Sequence, residues 1–303
     1  VTSNGTKRRW QRIDGVLLLD KASGMTSNSA LQGARRLFSA AKAGHTGTLD
    51  PLATGLLPLC FGEATKFSAD LLGSDKTYEA EILFGVTTDT GDAEGAVLQR
   101  HQPEFGRLEL EAVLLRFHGR ISQVPPMYSA LKRDGKPLYQ LARQGLEVDR
   151  EPREVTITEL RLLDFSGDRC RLRVSCSKGT YIRTLAEDIG NALACGAHLT
   201  ALRRTAVGPL RIADTLTLDR LVALSEEERT HCLLPPDALL QTLPPVHLDD
   251  EASLRFLHGN PVDMPVSEVL SPGKCRVYGD NRFLGLGESE SSGKVKPRRL
   301  VCA

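Results

Sequence analysis

Segments of strand period and segments of helix period follow one another in this chain without regular alternation, which favours an α+β architecture over a parallel sheet of repeated strand–helix units. Gly15-Val16-Leu17-Leu18-Leu19 is a short apolar run of the kind that forms a buried strand. Tyr78 to Phe84 alternates with period two, placing Tyr78, Ala80, Ile82 and Phe84 on one face. Between them Ala30, Leu31, Ala34, Leu37 and Phe38 fall at helical spacing, with Gly24 and Ser27 leading in. A helix is expected over 108–117, and strands over Val155–Leu163 and Cys170–Cys176. In the second of these strands, Arg169, Arg171 and Arg173 line the face opposite Cys170, Leu172, Val174 and Cys176. Thr180 reads as the cap of an amphipathic helix through Ile182, Leu185, Ala186, Ile189 and Leu193. A strand at His198–Val207 and a helix near Leu218–Leu224 follow.

Residues 124–152 break this pattern. Opened by Pro125-Pro126 and carrying Lys132, Arg133 and Lys136, they read as an exposed insertion with a short helix from Pro137 through Leu141. Pro235-Pro236 and Pro244-Pro245 mark a linker. After it, a short helix near Ala252–Leu257 and strands at Cys275–Tyr278, Phe283–Leu286 and Leu300–Val301 make a small, mostly β appendage. The expected division is therefore 1–247 and 248–303.

Composition narrows the function mainly by exclusion. No apolar run approaches the ~20 residues of a membrane helix, and Lys7-Arg8-Arg9-Trp10 is not followed by the apolar segment of a secretory signal. Seven cysteines, without a Cys-x-x-Cys pair, argue against a disulfide framework or a cysteine-based zinc site and fit a reducing cytoplasm. The signatures of dinucleotide folds, phosphate loops, zinc proteases and α/β-hydrolases are all missing, so no metal or cofactor is expected. A net charge of +1 does not itself signal nucleic acid. Basic residues nevertheless gather at Lys7–Arg12, Arg35-Arg36, Lys132–Lys136, Arg203-Arg204 and Lys294–Arg299, which permits a one-sided basic surface.

Several residues could carry chemistry. Asp50, followed by Pro51, is the expected N-cap and N1 pair of a helix, a cap worth ~1 kcal/mol. Held at the end of the tight polar loop Gly44-His45-Thr46-Gly47-Thr48-Leu49, its carboxylate could be cap and nucleophile at once. Arg183 falls in the first turn of its helix, where the macrodipole disfavours a cation, so it is either solvated or paired with a carboxylate or phosphate. Tyr78 is either a core tyrosine or an aromatic platform for an extruded base. His45 and Tyr181 stay open between ordinary packing and contact with a ligand.

The run Gly44-His45-Thr46-Gly47-Thr48-Leu49-Asp50-Pro51-Leu52-Ala53-Thr54-Gly55 closely resembles the catalytic motif of the TruB family of pseudouridine synthases. Asp20–Ser27, Lys76–Ala80 and Gly179–Leu185 match that family in order and separation, and Ala22 departs from it where Pro is usual. The resemblance implies a mixed, largely antiparallel central sheet flanked by helices, and a C-terminal PUA-type RNA-binding domain from about Leu248. It makes Asp50 the nucleophile and Arg183 the partner that holds its charge. Tyr78 would lie against the flipped uracil and help remove the C5 proton. Tyr181 and Leu202 would line the pocket, and His45 would stack on the RNA where nucleotides leave a gap.

The implied reaction breaks the N-glycosidic bond of uridine 55 in tRNA, turns the uracil and rejoins it through C5, without cofactor. Attack at C1′, addition to C6 and removal of a C2′ proton remain open as routes. The implied substrate is the T-arm stem-loop, gripped through phosphates. The insertion around Lys132–Lys136, the Arg169/Arg171/Arg173 row and Lys294–Arg299 are the candidate contacts, and the insertion is expected to close over the arm. A monomer without obligate protein partner or membrane contact suffices for one stem-loop. Two rival readings are a non-catalytic RNA-folding protein, and a hydrolase pairing Asp50 with Asp89 or Asp92.

Overall fold

The computed structural model describes residues 9–129, 131–133, 135–265 and 270–302. Its centre is a nine-stranded sheet formed by β1 (Gly15–Lys21), β2 (Ala43–His45), β3 (Thr54–Phe61), β4 (Lys76–Phe84), β5 (Gly119–Gln123), β6 (Arg153–Ser166), β7 (Arg169–Cys176), β8 (Ala197–Val207) and β9 (Leu210–Arg211). The path runs β1-β3-β8-β4-β7-β6-β5, with β2 beside β3 and β9 beside β8. Every pairing is antiparallel except β3 with β8, which touch in parallel through Arg203–Thr54 and Arg204–Gly55 alone. The α+β expectation, with a mixed and largely antiparallel sheet, is met.

Period-two patterning decides which face is dry. Ala80, Ile82 and Phe84 of β4 and Leu172 and Val174 of β7 are buried in one cluster with Ala30, Leu31 and Ala34 of α1 (Ser27–Leu37) and Leu185, Ala186 and Ile189 of α4 (Ile182–Ala192). Two further helices, α2 (Arg107–Leu115) and α3 (Leu138–Ala142), lie near 108–117 and inside the insertion, as the spacing predicts.

Three sequence readings need correction. Asp50 caps no helix. Ala53 N–H donates to the Asp50 carbonyl at 3.1 Å, closing a turn, and the apolar run that follows becomes strand β3. An Asp-Pro pair serves a β-turn as well as a helix start, and the residues beyond it decide which. Thr180 is not the cap of α4 either: the N-cap is Tyr181, with no side-chain cap, while Thr180 Oγ1 donates to the Ser177 carbonyl at 2.9 Å. The segment between the proline pairs is no free linker. Residues 236–240 form a 3₁₀ turn whose Ala238, Leu239 and Leu240 are buried with Val16, Leu18, Leu56 and Phe67.

The appendage is a five-stranded sheet, ordered β10-β12-β13-β14-β11, of β10 (Pro245–Leu248), β11 (Val262–Asp263), β12 (Gly273–Gly279), β13 (Arg282–Ser289) and β14 (Lys294–Leu300). It encloses its own core around Val246, Phe256, Cys275 and Val277, while Leu286 and Phe283 join the cluster beneath residues 238–240. Among the described residues no helix is long and apolar enough to cross a membrane.

Candidate active site

The loop from Gly44 to Gly55 is held from several sides. Ser27, at the start of α1, both accepts from Leu49 N–H (2.8 Å) and donates to the Leu49 carbonyl (2.9 Å). Lys21, wholly buried, donates to the carbonyls of Ala22, Met25 and Pro51. Arg204 of β8 donates from Nη2 to the Gly47 carbonyl (2.9 Å) and from Nε to that of Leu56 (2.8 Å). Gly55 has φ +100°, and a Cβ there would meet the Arg204 carbonyl oxygen at 2.3 Å, so only glycine lets the loop return against β8.

This clamped loop presents the Asp50 side chain, 40% exposed, to Arg183, which is 5% exposed. Arg183 Nε lies 3.0 Å from Asp50 Oδ2 and 3.6 Å from Asp92 Oδ2. Its Nη1 donates to the Thr90 carbonyl (2.7 Å) and its Nη2 to that of Tyr128 (2.6 Å). A cation set against the helix dipole is therefore paid back by two carboxylates and two carbonyls, a fork that a lysine cannot reproduce.

Asp50 and Arg183, with Thr48, Leu49, Tyr128 and Ser129, line two adjoining hollows. One, a groove of about 710 Å³, is lined by His45, Thr90, Asp92, Tyr128, Tyr139 and Arg143 among others. The other, a cavity of about 300 Å³, is lined by Tyr78, Tyr181, Leu202, Lys76, Lys178 and Arg204 among others. The six residues singled out from sequence thus converge, with His45 on the groove side and the other three pocket residues behind Asp50.

Burial tunes the rings. The Tyr78 phenol is pushed up, by desolvation first and against the nearby Arg204 cation, so it is neutral at physiological pH. A neutral phenol can stack on a base or relay a proton, but it cannot accept one without giving up its own. Tyr181 is raised too, chiefly by burial. His45 is pushed down by burial and then by Arg204, so it offers an uncharged ring.

Other expectations fare differently. Lys132 and Arg133 lie away from both hollows; Arg133 and Lys136 border a separate depression with Glu147 and Asp149. The insertion reaches the site instead through Tyr128, Ser129, Tyr139 and Arg143. Arg171 and Arg173 sit across from Glu81 and Glu79 on the sheet face opposite Val174, and Arg173 Nε lies 3.5 Å from Glu159. In the C-terminal segment Arg298 pairs with Glu288 and Arg299 donates to the Lys66 carbonyl. Lys7 and Arg8 lie outside the described residues.

Neither candidate for a second acid is free to act. Asp92 is buried and accepts from Thr90 Oγ1 (2.7 Å) and Glu94 N–H (3.0 Å), while Asp89 accepts from Ala96 N–H (2.8 Å) and lines neither hollow. Among the described residues no group of His, Cys, Asp and Glu is placed to hold a metal ion.

Sequence reasoning missed Gln123. Its buried amide accepts from Tyr181 N–H (3.1 Å) and donates to the Tyr181 carbonyl (3.3 Å), doing for the start of α4 what a side-chain cap would. Only its place at the end of β5 could have hinted at this.

Residues 35–182 match the TruB family pseudouridylate synthase N-terminal domain, 183–241 the tRNA pseudouridylate synthase B C-terminal domain, and 244–301 the pseudouridine synthase II TruB C-terminal domain. The chain belongs to the TruB family of pseudouridine synthases. It is similar to the tRNA pseudouridine synthase B of Dechloromonas aromatica, 62% identical over 97% of this chain and 98% of that relative. The enzyme of the same name from Nitrosospira multiformis is 53% identical over 99% and 98%. Among solved structures, a Cbf5-Nop10-Gar1 complex matches with TM-score 0.71 and 26% identity over 95% of this chain and 84% of that chain. An H/ACA ribonucleoprotein bound to a substrate RNA containing 2′-deoxyuridine matches in fold, with TM-score 0.72 and 23% identity over 95% and 85%. A TruB-family enzyme isomerises uridine to pseudouridine.

Proposed function

We propose that this enzyme converts uridine 55 in the T-loop of tRNA to pseudouridine, with Asp50 as its nucleophile. The observation that carries the reading is the Arg183–Asp50 pair at 3.0 Å, which lines both a larger hollow and a smaller one. RNA lies in the groove and the extruded nucleotide passes Asp50 into the cavity, at an unstacking cost of a few kcal/mol. His45, neutral and on the groove side, stacks where the base has left. Tyr78 packs on the uracil, Tyr181 and Leu202 close the pocket, and Arg183 keeps Asp50 aimed.

The T-arm is gripped by shape and phosphate contacts, with residues 1–247 as the catalytic unit and 248–303 as an RNA-binding unit. The enzyme works in the cytoplasm as a monomer, without cofactor. Release of tritium from C5-labelled uridine in tRNA tests this. Wild type should release it and Asp50→Asn should not, while still binding tRNA; release by Asp50→Asn would overturn the assignment.

A further inference from the structure

Among the described residues Asp50 is the one acidic residue lining the smaller cavity, and four cations line it with Asp50: Lys76, Lys178, Arg183 and Arg204. Arg183 is matched by Asp50 and Asp92. Among the described residues no carboxylate lies within 4.0 Å of the charged atoms of Lys76 or Arg204, although Lys76 is nine-tenths buried and Arg204 is 1% exposed. Lys76 Nζ is met by the carbonyls of Leu72 (2.9 Å) and Ser74 (2.6 Å), and Arg204 by those of Leu56 and Gly47. Burying a cation without an acid opposes folding, and two such cations sit side by side in one catalytic hollow. Arg204 is also the cross-strand neighbour of Tyr78, the residue against which the base packs in the reading above.

The chemistry of that reading supplies the missing negative charge. In the C1′ route an Asp50 carboxylate oxygen bonds to C1′ as the C1′–N1 bond breaks; that electron pair leaves with N1, and the uracil becomes an anion with charge spread over O2 and O4. After the ring turns, C5 bonds to C1′ with an electron pair from the ring, the C1′–oxygen bond returns its pair to the Asp50 carboxylate, C5 loses its proton to a base and N1 gains one. In the C6-addition route, charge develops on O4 instead. Charge on the ring therefore appears and vanishes within one turnover.

We propose that Lys76 and Arg204 form a cationic floor that holds the uracil ring while it carries this negative charge. Fixed charges aimed where charge develops in a water-poor pocket are worth more than in bulk solvent, and loss of one such group slows reactions by roughly 10²–10³-fold. The inference rests on the proposed isomerisation at Asp50, and the test separates the two.

Single-turnover rates and tRNA affinities are compared for wild type, Asp50→Asn, Lys76→Met, Lys76→Arg and Arg204→Gln. Each is run on tRNA carrying uridine and on tRNA carrying 5-fluorouridine, by following consumption of the nucleoside. Lys76→Met and Arg204→Gln should be slowed roughly 10²-fold on uridine, with tRNA affinity within a few-fold of wild type and Lys76→Arg largely restored. Fluorine stabilises the ring anion on its own, so the loss on 5-fluorouridine should shrink by about tenfold. Arg204→Gln could fail to fold because Arg204 also ties Gly47 to Leu56; Lys76→Met, which touches neither, then decides. An equal loss on both substrates would mean a merely structural role and overturn the proposal, as would a wild-type rate for Lys76→Met. An active Asp50→Asn would instead overturn the reading on which it rests.

Discussion

Arg183 Nε stands 3.0 Å from Asp50 Oδ2 and 3.6 Å from Asp92 Oδ2, so a single guanidinium nitrogen is shared between an accessible carboxylate and a buried one. The remaining nitrogens reach the Thr90 and Tyr128 carbonyls, which fixes the fork in its plane. A lysine keeps the charge and loses this directionality. Arg183→Lys should lower the single-turnover rate by roughly 10²-fold, the equivalent of one or two lost charge-assisted bonds, while tRNA affinity changes little. Rate and filter-binding measurements on one preparation check this; loss of affinity with an unchanged rate would place Arg183 in RNA binding instead.

Asp92 is the partner that Asp50 does not displace. Asp92→Asn preserves an acceptor for Thr90 Oγ1 and Glu94 N–H but removes the second negative charge from Arg183. Arg183 is then free to draw closer to Asp50 and over-stabilise its ground state, so the expected result is a rate about tenfold lower at unchanged thermal stability. Asp92→Ala strands the Thr90 and Glu94 donors as well and should lower stability by ~1–3 kcal/mol. Equal stability of the two variants would show that those bonds contribute little.

That the six residues singled out from sequence come together around Asp50 was legible because a long motif fixes positions that spacing alone leaves open. What stayed illegible was burial of charge. Lys21 and Arg204 look in sequence like any solvated cation, yet both end wholly inside, tying down the Asp50 loop from opposite sides. The place of Arg204 depends on the two-residue parallel contact of β3 with β8 and that of Lys21 on the pairing of β1 with β3, long-range pairings that no local pattern encodes. Asp50-Pro51 misled for the reverse reason, since its local chemistry suits two structures and the following strand chooses. The basic row of β7 was read correctly as a face, but the glutamates opposite it come from β4, and only the register reveals them.

Lys76 gives the site a pH dependence. Burial first, then the Arg204 cation, lowers its pKa to about 8, with Lys178 acting in the same direction and Cys176 and Asp75 opposing. The ammonium is therefore present below about pH 8 and lost above it. The single-turnover rate should fall along an alkaline limb near that value, and Lys76→Arg, which cannot deprotonate there, should abolish the limb. Lys21 is also lowered to about 8, mainly by burial. A limb that survives in Lys76→Arg would belong to Lys21 and the loop it holds.

Asp237 joins the two sheets. It is buried just ahead of β10 and accepts from Tyr278 Oη of β12 at 2.6 Å, with Arg276 Nη1 at 3.8 Å. Arg276 is itself tied back to the Leu243 carbonyl (2.9 Å) and to Gln241 (3.0 Å). Burial and then the Asp237 hydrogen bond push Tyr278 up to about 12, so the phenol remains a donor to Asp237 throughout the working pH range. Asp237→Ala would leave a phenol and a partly buried guanidinium without their acid, a loss of about 2–3 kcal/mol. At a few degrees per kcal/mol for a chain of this size, Tm should fall by roughly 5 °C, and Asp237→Asn, which keeps an acceptor for Tyr278, should fall less. Thermal unfolding followed by circular dichroism checks both. Because Asp50 lies in the other sheet's loop, tritium release at 25 °C should stay near wild type. A large loss of activity at full stability would mean that the angle between the sheets matters to the RNA more than their adhesion does.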